Sequence, residues 1–520
     1  VWEIAFVNPQ VEQTLQNVFA YVIPEAGLVG LACVLFMLST LRASRTLAGV
    51  LSLVGLVAAG YLLRTFPGTA PELLTVSAVL TDPLSLFVRY AALATGFVLV
   101  LVCWNDVGNK TAADYFACLM IITAGFSLIG SANDLIVVFL ALEMISIPTY
   151  IMLWLPKPKD YAAQESSVKY FMLSIVSSAM LLFGFSYLYG MTGTTNIAAI
   201  VEILPSVVSG DGATMFAVAN VMVLAGIGFR ITAFPFHFYA PDVYQGAPTG
   251  TTAMLSFVPK LAGFIVLLRL FAQPREMLYA NTPLMNQTLM LFWILATVSM
   301  VAGNVLAVMQ TNIRRMLAYS GVANAGYMLI GMAVMPSIGA MVGDVPAGLR
   351  TIAPGGEAML FYLIAYGAMT VGAFAVLSYI GSPSTPVDDI EDLSGLSQTN
   401  PYAAASMGVF LLSMIGLPLT AGFAGKFLLF LSALSAPKDA PLNPMYEILA
   451  LIAAVAAAIG AFYYLRVIGV MYLRNPNRKS MITGGLAASL AILICLIATI
   501  GFGVYPWALI SQTRAAVGSP

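Results

Sequence analysis

Five ionisable residues are stranded in apolar sequence, and their types could move charge. Glu143 sits near the middle of the greasy stretch from Leu135 to Leu155, deeper in apolar sequence than any other acid, and Lys169, Arg230, Lys260 and Lys426 are similarly placed. A charge at bilayer depth costs about 2.5–3.5 kcal/mol, so five facing lipid would cost on the order of 12–17 kcal/mol. Such groups are tolerable where they face one another or water inside a bundle, which is the signature of a proton or charge pathway. A carboxylate held between desolvation and a nearby cation can load and release a proton. A buried lysine can exchange one too, whereas guanidinium keeps its own, so Arg230 is expected to hold a counter-charge or a gate.

Each residue also has a plainer account. Glu143 shares a helical face with Ser146 and Tyr150; that stripe lines a hydrated interior, or Glu143 is a protonated, hydrogen-bonded core acid. Lys169 has Glu165 four residues before it, suited to an i,i+4 pair with a snorkelling side chain. Lys260 follows Pro259 about thirteen residues into its span, roughly 20 Å deep, too far for easy snorkelling. Lys426 follows a Gly- and Pro-rich break, and His237, the single histidine, lies beside another. The stripes Ser320, Asn324, Tyr327 and Tyr362, Tyr366, Thr370 carry hydration between halves or glue helices together. Arg466 is expected to snorkel.

The elements that must position these groups are membrane helices. Of 520 residues, 60% are hydrophobic and 9% charged, against roughly 25% charged in a soluble domain, and the mean hydropathy is +0.92. A net charge of -1 offers no basic surface for nucleic acid. One histidine and four scattered cysteines (Cys33, Cys103, Cys118, Cys495) argue against a zinc, heme or iron–sulfur site. Glu3 and Glu12 before the first apolar run do not read as a cleaved signal.

Windows of about 19–20 residues predict an all-α polytopic membrane protein with fourteen spans: 18–38, 46–64, 83–104, 113–130, 133–154, 167–190, 213–238, 247–272, 286–308, 315–336, 356–380, 402–434, 446–473 and 481–507. The longest connectors, near 191–212, 337–355 and 381–401, are too short for a soluble domain. With both termini outside, the inner connectors hold Arg42, Arg45, Lys110, Lys157, Lys159, Arg314, Arg315, Arg474, Arg478 and Lys479. The outer ones then hold Arg64, Arg269, Arg275, Arg350, Lys438 and Arg514, an excess that favours this orientation.

Two spans are interrupted alike, by Pro235, Pro241, Gly246 and Pro248 in the seventh and by Gly416, Pro418, Gly422 and Gly425 in the twelfth. Breaks in corresponding positions suggest two five-helix repeats, each with a discontinuous helix. The expected organisation is 1–112, three N-terminal helices; 113–272 and 286–473, the repeats; and 474–520, a last helix.

These residues resemble a known family. The run Phe236–Thr249 (FHFYAPDVYQGAPT) closely resembles the seventh-span motif of subunit N of bacterial respiratory complex I. Glu165–Phe171 (ESSVKYF), Asn312–Ser320 (NIRRMLAYS), Ile390–Leu396 (IEDLSGL) and Gly416–Phe427 (GLPLTAGFAGKF) are supporting matches, and the resemblance spans about residues 80–480. The resemblance implies an antiporter-like, fourteen-helix subunit with inverted repeats in NADH:quinone oxidoreductase, in the bacterial inner (plasma) membrane or a photosynthetic one. It implies a charged axis of Glu143, Lys169, Lys260 and Lys426; the residues themselves suggest Arg230 as a tuning charge and His237, Asn324, Tyr327 and Tyr366 as accessory. It implies no redox cofactor here: NADH, FMN, iron–sulfur clusters and quinone belong to partner subunits, and M-, K- and A/J-like membrane subunits are the neighbours. The M-type sister usually has glutamate where Lys426 stands, and sodium/proton antiporter subunits generally lack the Asp242–Pro248 run. Two departures stand out: relatives usually have lysine at Arg230, and many have histidine at Asn324. The expected function is proton translocation coupled to electron transfer elsewhere. A free-standing sodium/proton antiporter and a charge-locked scaffold are the alternatives.

Overall fold

The computed structural model describes residues 9–65, 77–155, 161–208, 211–271, 283–339, 355–381, 386–436, 442–477 and 484–517. Glu3, Lys157, Lys159, Arg275, Arg350, Lys438, Arg478 and Lys479, used in the sequence reading, lie outside them. In lipid, backbone polar groups must be satisfied within the segment, and the described residues accordingly form nineteen α-helices and only isolated β-bridges.

The helices are α1 (Pro9–Thr40), α2 (Arg45–Thr65), α3 (Pro83–Cys103), α4 (Ala112–Ser131), α5 (Leu135–Trp154), α6 (Tyr161–Thr192), α7 (Ile197–Val207), α8 (Asp211–Arg230), α9 (Ala240–Gly246) and α10 (Thr249–Phe271). They continue with α11 (Pro283–Val308), α12 (Ile313–Gly339), α13 (Gly355–Ile380), α14 (Leu396–Thr399), α15 (Pro401–Ile415), α16 (Ala421–Leu434), α17 (Asn443–Leu473), α18 (Gly485–Val504) and α19 (Trp507–Val517). Among the described residues thirteen are long and apolar enough to cross a membrane. The shorter α15 and α16 divide the expected twelfth span between them, so fourteen crossings are accounted for.

Two short helices fall outside the expected spans, one in a connector and one after the last span. Asn196, whose side chain accepts from the Ala199 N–H at 3.0 Å, caps α7, and α19 follows the last span; at 11 residues each, neither reaches across a bilayer. Polar caps start other helices. Asp82 takes the Ser85 N–H at 2.8 Å and the Ser85 hydroxyl returns the favour, with Pro83 in the first turn of α3.

α10, α12 and α13 are buried on nearly all sides, the arrangement expected of apolar helices at the centre of a bundle. α13 packs on α10, α12 and α16, and α17 backs α11 and α15. Small residues bring backbones together: a Cβ on Gly226 of α8 would lie 2.9 Å from the Ser177 carbonyl of α6.

Both interruptions begin with the same reversal. After α8, Thr232 turns left-handed (φ 57) and Ala233 N–H returns to the Gly228 carbonyl at 2.9 Å. After α15, Gly416 turns left-handed (φ 102) and Leu417 N–H returns to the Leu412 carbonyl at 3.1 Å. Each closes a helix end that lipid could not satisfy. Arg466 reaches the turn between α11 and α12. It is half-buried, and its Nη1 donates to the Gln310 carbonyl at 3.2 Å because the α11–α12 turn offers a bare acceptor.

Candidate functional site

Glu143 and Arg230 meet in the interior. Arg230, in the last turn of α8, donates through Nη2 to Glu143 Oε1 at 2.9 Å, and the Ser178 hydroxyl of α6 donates to the same oxygen at 2.6 Å. Arg230 Nη1 reaches the Ser146 hydroxyl and the Leu142 carbonyl. The Arg230 side chain is 2% exposed and that of Glu143 19%, so Glu143 is the more open member of the pair. The expected stripe is used throughout: Ser146 serves Arg230, and the Tyr150 hydroxyl donates to Ser174 at 2.8 Å.

Glu143 is not the most buried acid. Glu25 on α1 and Glu357 on α13 are 4% and 0% exposed, and both lie near enough to a span end that hydropathy windows pass over them. Glu25 binds Arg89 of α3 through Nε at 2.8 Å and Nη2 at 2.6 Å, while Ser127 also donates to it. Arg89 stacks on Tyr21, 4.0 Å from the ring centre. Glu357 faces Arg514 of α19 at 3.3 Å.

Lys169 stands apart from this interior line. It bridges Glu165 at 2.7 Å and Asp242 at 2.8 Å with 39% of its side chain exposed. Asp242, which sequence reading did not single out, also binds Arg315 at 2.6 Å. Burial raises the Asp242 carboxyl, but the hydrogen bonds and charges of Lys169 and Arg315 prevail and hold it below the usual range. The broken segment is thereby tied to α6 and α12 through one carboxylate.

Lys260 is 0% exposed, and its Nζ has no hydrogen-bond partner among the described residues. The rings of Tyr366 and Tyr244 lie 5.7 and 6.0 Å away. Its pocket exists because residue 321 is glycine: a Cβ there would lie 2.8 Å from Lys260 Nζ and 3.0 Å from the Tyr366 hydroxyl. At its N-terminal end, α10 is held by Asp106, which accepts from Gly250 N–H and the Ser378 hydroxyl. Burial lifts the Asp106 carboxyl above the usual range, against the pull of those donors and Arg314. Arg314 donates to the Ala247 carbonyl at 2.9 Å and the Thr249 hydroxyl at 3.0 Å, beside the same helix end.

Lys426, on α16, crosses the second break. Its Nζ donates to the carbonyls of Met414 at 2.6 Å and Ile415 at 3.3 Å, at the C-terminus of α15 where the helix dipole favours a cation. The Tyr327 ring lies 4.9 Å from the ammonium. The first break is served differently: the Tyr239 hydroxyl, not an ammonium, donates to the Phe229 carbonyl at 3.0 Å. His237 is 7% exposed, stacks on Phe234 at 5.1 Å, and its Nδ1 has no partner among the described residues.

Between the two lysines the polar stripes interlock. Tyr362 donates to Asn324 Oδ1 at 2.5 Å, and Asn324 Nδ2 donates to the Ser320 carbonyl at 2.8 Å. Ser320 in turn shares a hydrogen bond with the Tyr464 hydroxyl of α17. Ser178 and the Tyr463–Tyr464 doublet escaped the sequence reading, and Asp242 entered it only as part of a motif; the doublet's place in an apolar run was its only local signal.

Residues 132–442 match the family described as "NADH:quinone oxidoreductase/Mrp antiporter, TM". The chain is 34% identical over 493 residues to NADH-quinone oxidoreductase subunit N 2 of Chloroherpeton thalassium, covering 93% of this chain and 91% of that one. A chain of respiratory complex I from Thermus thermophilus with bound aureothin superposes with a TM-score of 0.74 at 27% identity, covering 95% and 99% of the two chains. A chain of the Mrp complex from Dietzia sp. DQ12-45-1b shares the fold at 19% identity, TM-score 0.74, with 98% and 97% covered. By the extent of these matches, the chain belongs to the NADH:quinone oxidoreductase/Mrp antiporter membrane family and, within it, to the subunit N family of NADH-quinone oxidoreductases.

Proposed function

We propose that the chain is a proton-translocating, non-redox membrane subunit of an NADH:quinone oxidoreductase. The observation that carries this reading is Lys260, fully buried with no protein acceptor for its ammonium among the described residues. A charge so placed must be hydrated or lose its proton, and a lysine held at that balance can hand a proton on. Redox-linked change in neighbouring subunits shifts Arg230 relative to Glu143. The altered field changes the proton affinity of Lys260, and Lys426 exchanges the proton with the outer side. Arg230 stays charged throughout and acts as the tuning counter-charge. Lys169, bridged to Glu165 and Asp242, ties α6 to the broken segment of the same repeat; His237, Asn324, Tyr327 and Tyr366 line the route. The partial exposure of Glu143 suits a neighbouring membrane subunit of the M, K or A/J kind.

The two interruptions that begin with the same reversal support repeats spanning 113–272 and 286–473. The single histidine and unclustered cysteines support a chain without a redox centre, with NADH, flavin, clusters and quinone in partner subunits. The cation count supports both termini outside, in what we take to be the bacterial plasma membrane. Lys260→Met and Lys426→Met in the assembled complex should each impair proton pumping, measured by a pH-sensitive dye in membrane vesicles during NADH oxidation. Full pumping in both overturns the reading. The fold shared with the Mrp complex favours one rival, a free-standing antiporter, which predicts cation-driven proton flux from the purified chain in liposomes without NADH or quinone.

A further inference from the structure

Asn324 interrupts the line between the two lysines. Its carboxamide accepts from Tyr362 and donates to Ser320, but an amide oxygen cannot become a donor without losing its resonance, so it passes no proton. Hydroxyls can, because each holds one proton and two lone pairs. The hydroxyls of Ser320 and Tyr464 face one another beside the amide, and either can be the donor. Both residues are buried, at 1% and 2% exposure. On one side, Lys260 and Tyr366 press on Gly321, the neighbour of Ser320. On the other, the Tyr464 ring lies 4.3 Å from that of Tyr463, whose hydroxyl donates to Asn304 at 3.1 Å. Asn304 donates to the Tyr327 hydroxyl at 3.3 Å, and Tyr327 underlies the Lys426 ammonium.

We infer that the Ser320–Tyr464 hydroxyl pair carries the proton past Asn324 between Lys260 and Lys426, which makes Tyr464 a relay residue on α17, beyond the residues that the family model matches. The inference rests on the lysine axis proposed above. In the transfer, Lys260 gives its proton through water to Ser320 Oγ as the original Ser320 proton moves to Tyr464. The original Tyr464 proton leaves on the far side through water, past the Asn304 amide, for the Lys426 amine. Each hydroxyl ends with one proton, Lys260 ends neutral and Lys426 ends as ammonium.

The test is Tyr464→Phe in the assembled complex, reading protons pumped per electron together with complex yield. Loss of a positioned proton carrier should slow the transfer by about a hundredfold or more, so that protons pumped per electron fall. Adding Asn324→His should restore it, since imidazole accepts at one nitrogen and donates from the other; a tyrosine that merely packs α17 would not be rescued that way. If Tyr464→Phe does not assemble, Ser320→Ala carries the same test and the same rescue. Pumping at the wild-type level in the hydroxyl-less variant, or a loss that Asn324→His does not relieve, overturns the relay. Full pumping in Lys260→Met, measured alongside, instead overturns the axis on which the relay depends.

Discussion

The Glu143–Arg230 pair shows how far a residue type can be read. A carboxylate and a guanidinium in apolar sequence have to find partners, and they find each other at 2.9 Å. Glu143→Gln would leave the guanidinium among hydroxyls and a carbonyl, and breaking a buried pair on one side costs about 3–5 kcal/mol. The expected outcome is a reduced yield of assembled complex on native gels and weaker pumping per complex; wild-type values of both would show that the pair is dispensable. Gly321→Ala probes space instead of charge. Its Cβ would meet Lys260 Nζ at 2.8 Å, and the ammonium, at the end of a flexible chain, gives way before the helix does. Assembly should persist while pumping falls, and unchanged pumping would show that the proton does not use that pocket. Glu143, Lys260 and Lys426 were legible because burial of a charge is exceptional. Ser178 and Tyr464 were not, because a serine or tyrosine in a membrane helix is commonplace and only its partner distinguishes it.

At the scale of elements, helix ends are held by side chains whose protonation matters. Asp82 caps α3 and grips Arg269, in the last turn of α10, through both oxygens at 2.6 and 2.8 Å. Burial raises the Asp82 carboxyl, but the Arg269 and Ser85 interactions outweigh it and leave it below the usual range. A lowered carboxyl contributes its stability in full above the ordinary aspartate range near ~4 and loses it as pH falls through the folded-state value. Asp82→Asn should therefore lower the melting temperature of the solubilised complex at neutral pH. The gap to wild type should close in acid; a gap constant with pH would contradict this assignment. Caps and breaks of this kind are visible in sequence because they act within one turn. α7 and α19 were not anticipated, because hydropathy windows long enough to find a span average over an 11-residue helix.

At the scale of the whole molecule, buried charges divide into those that couple and those that hold. Glu25–Arg89, with Tyr21 and Ser127, ties α1, α3 and α4 together outside the residues that the family model matches. Arg89→Ala would strand a buried carboxylate, again a loss of about 3–5 kcal/mol. It should lower the yield of complex while leaving protons per electron unchanged in what assembles, the reverse of Lys260→Met; a changed ratio would enlist this pair in coupling. By itself the sequence determined that the chain is a helical membrane bundle, roughly where it crosses, and which charges cannot face lipid. Those are local consequences of hydropathy and of backbone groups that lipid will not solvate. Only the tertiary structure decided which charge meets which: Arg89 takes Glu25 from 64 residues away, Lys169 takes Asp242 from 73, and Tyr464 takes Ser320 from 144. The rotation and depth of each helix, which choose those partners, are set by packing against its neighbours and not by its own composition.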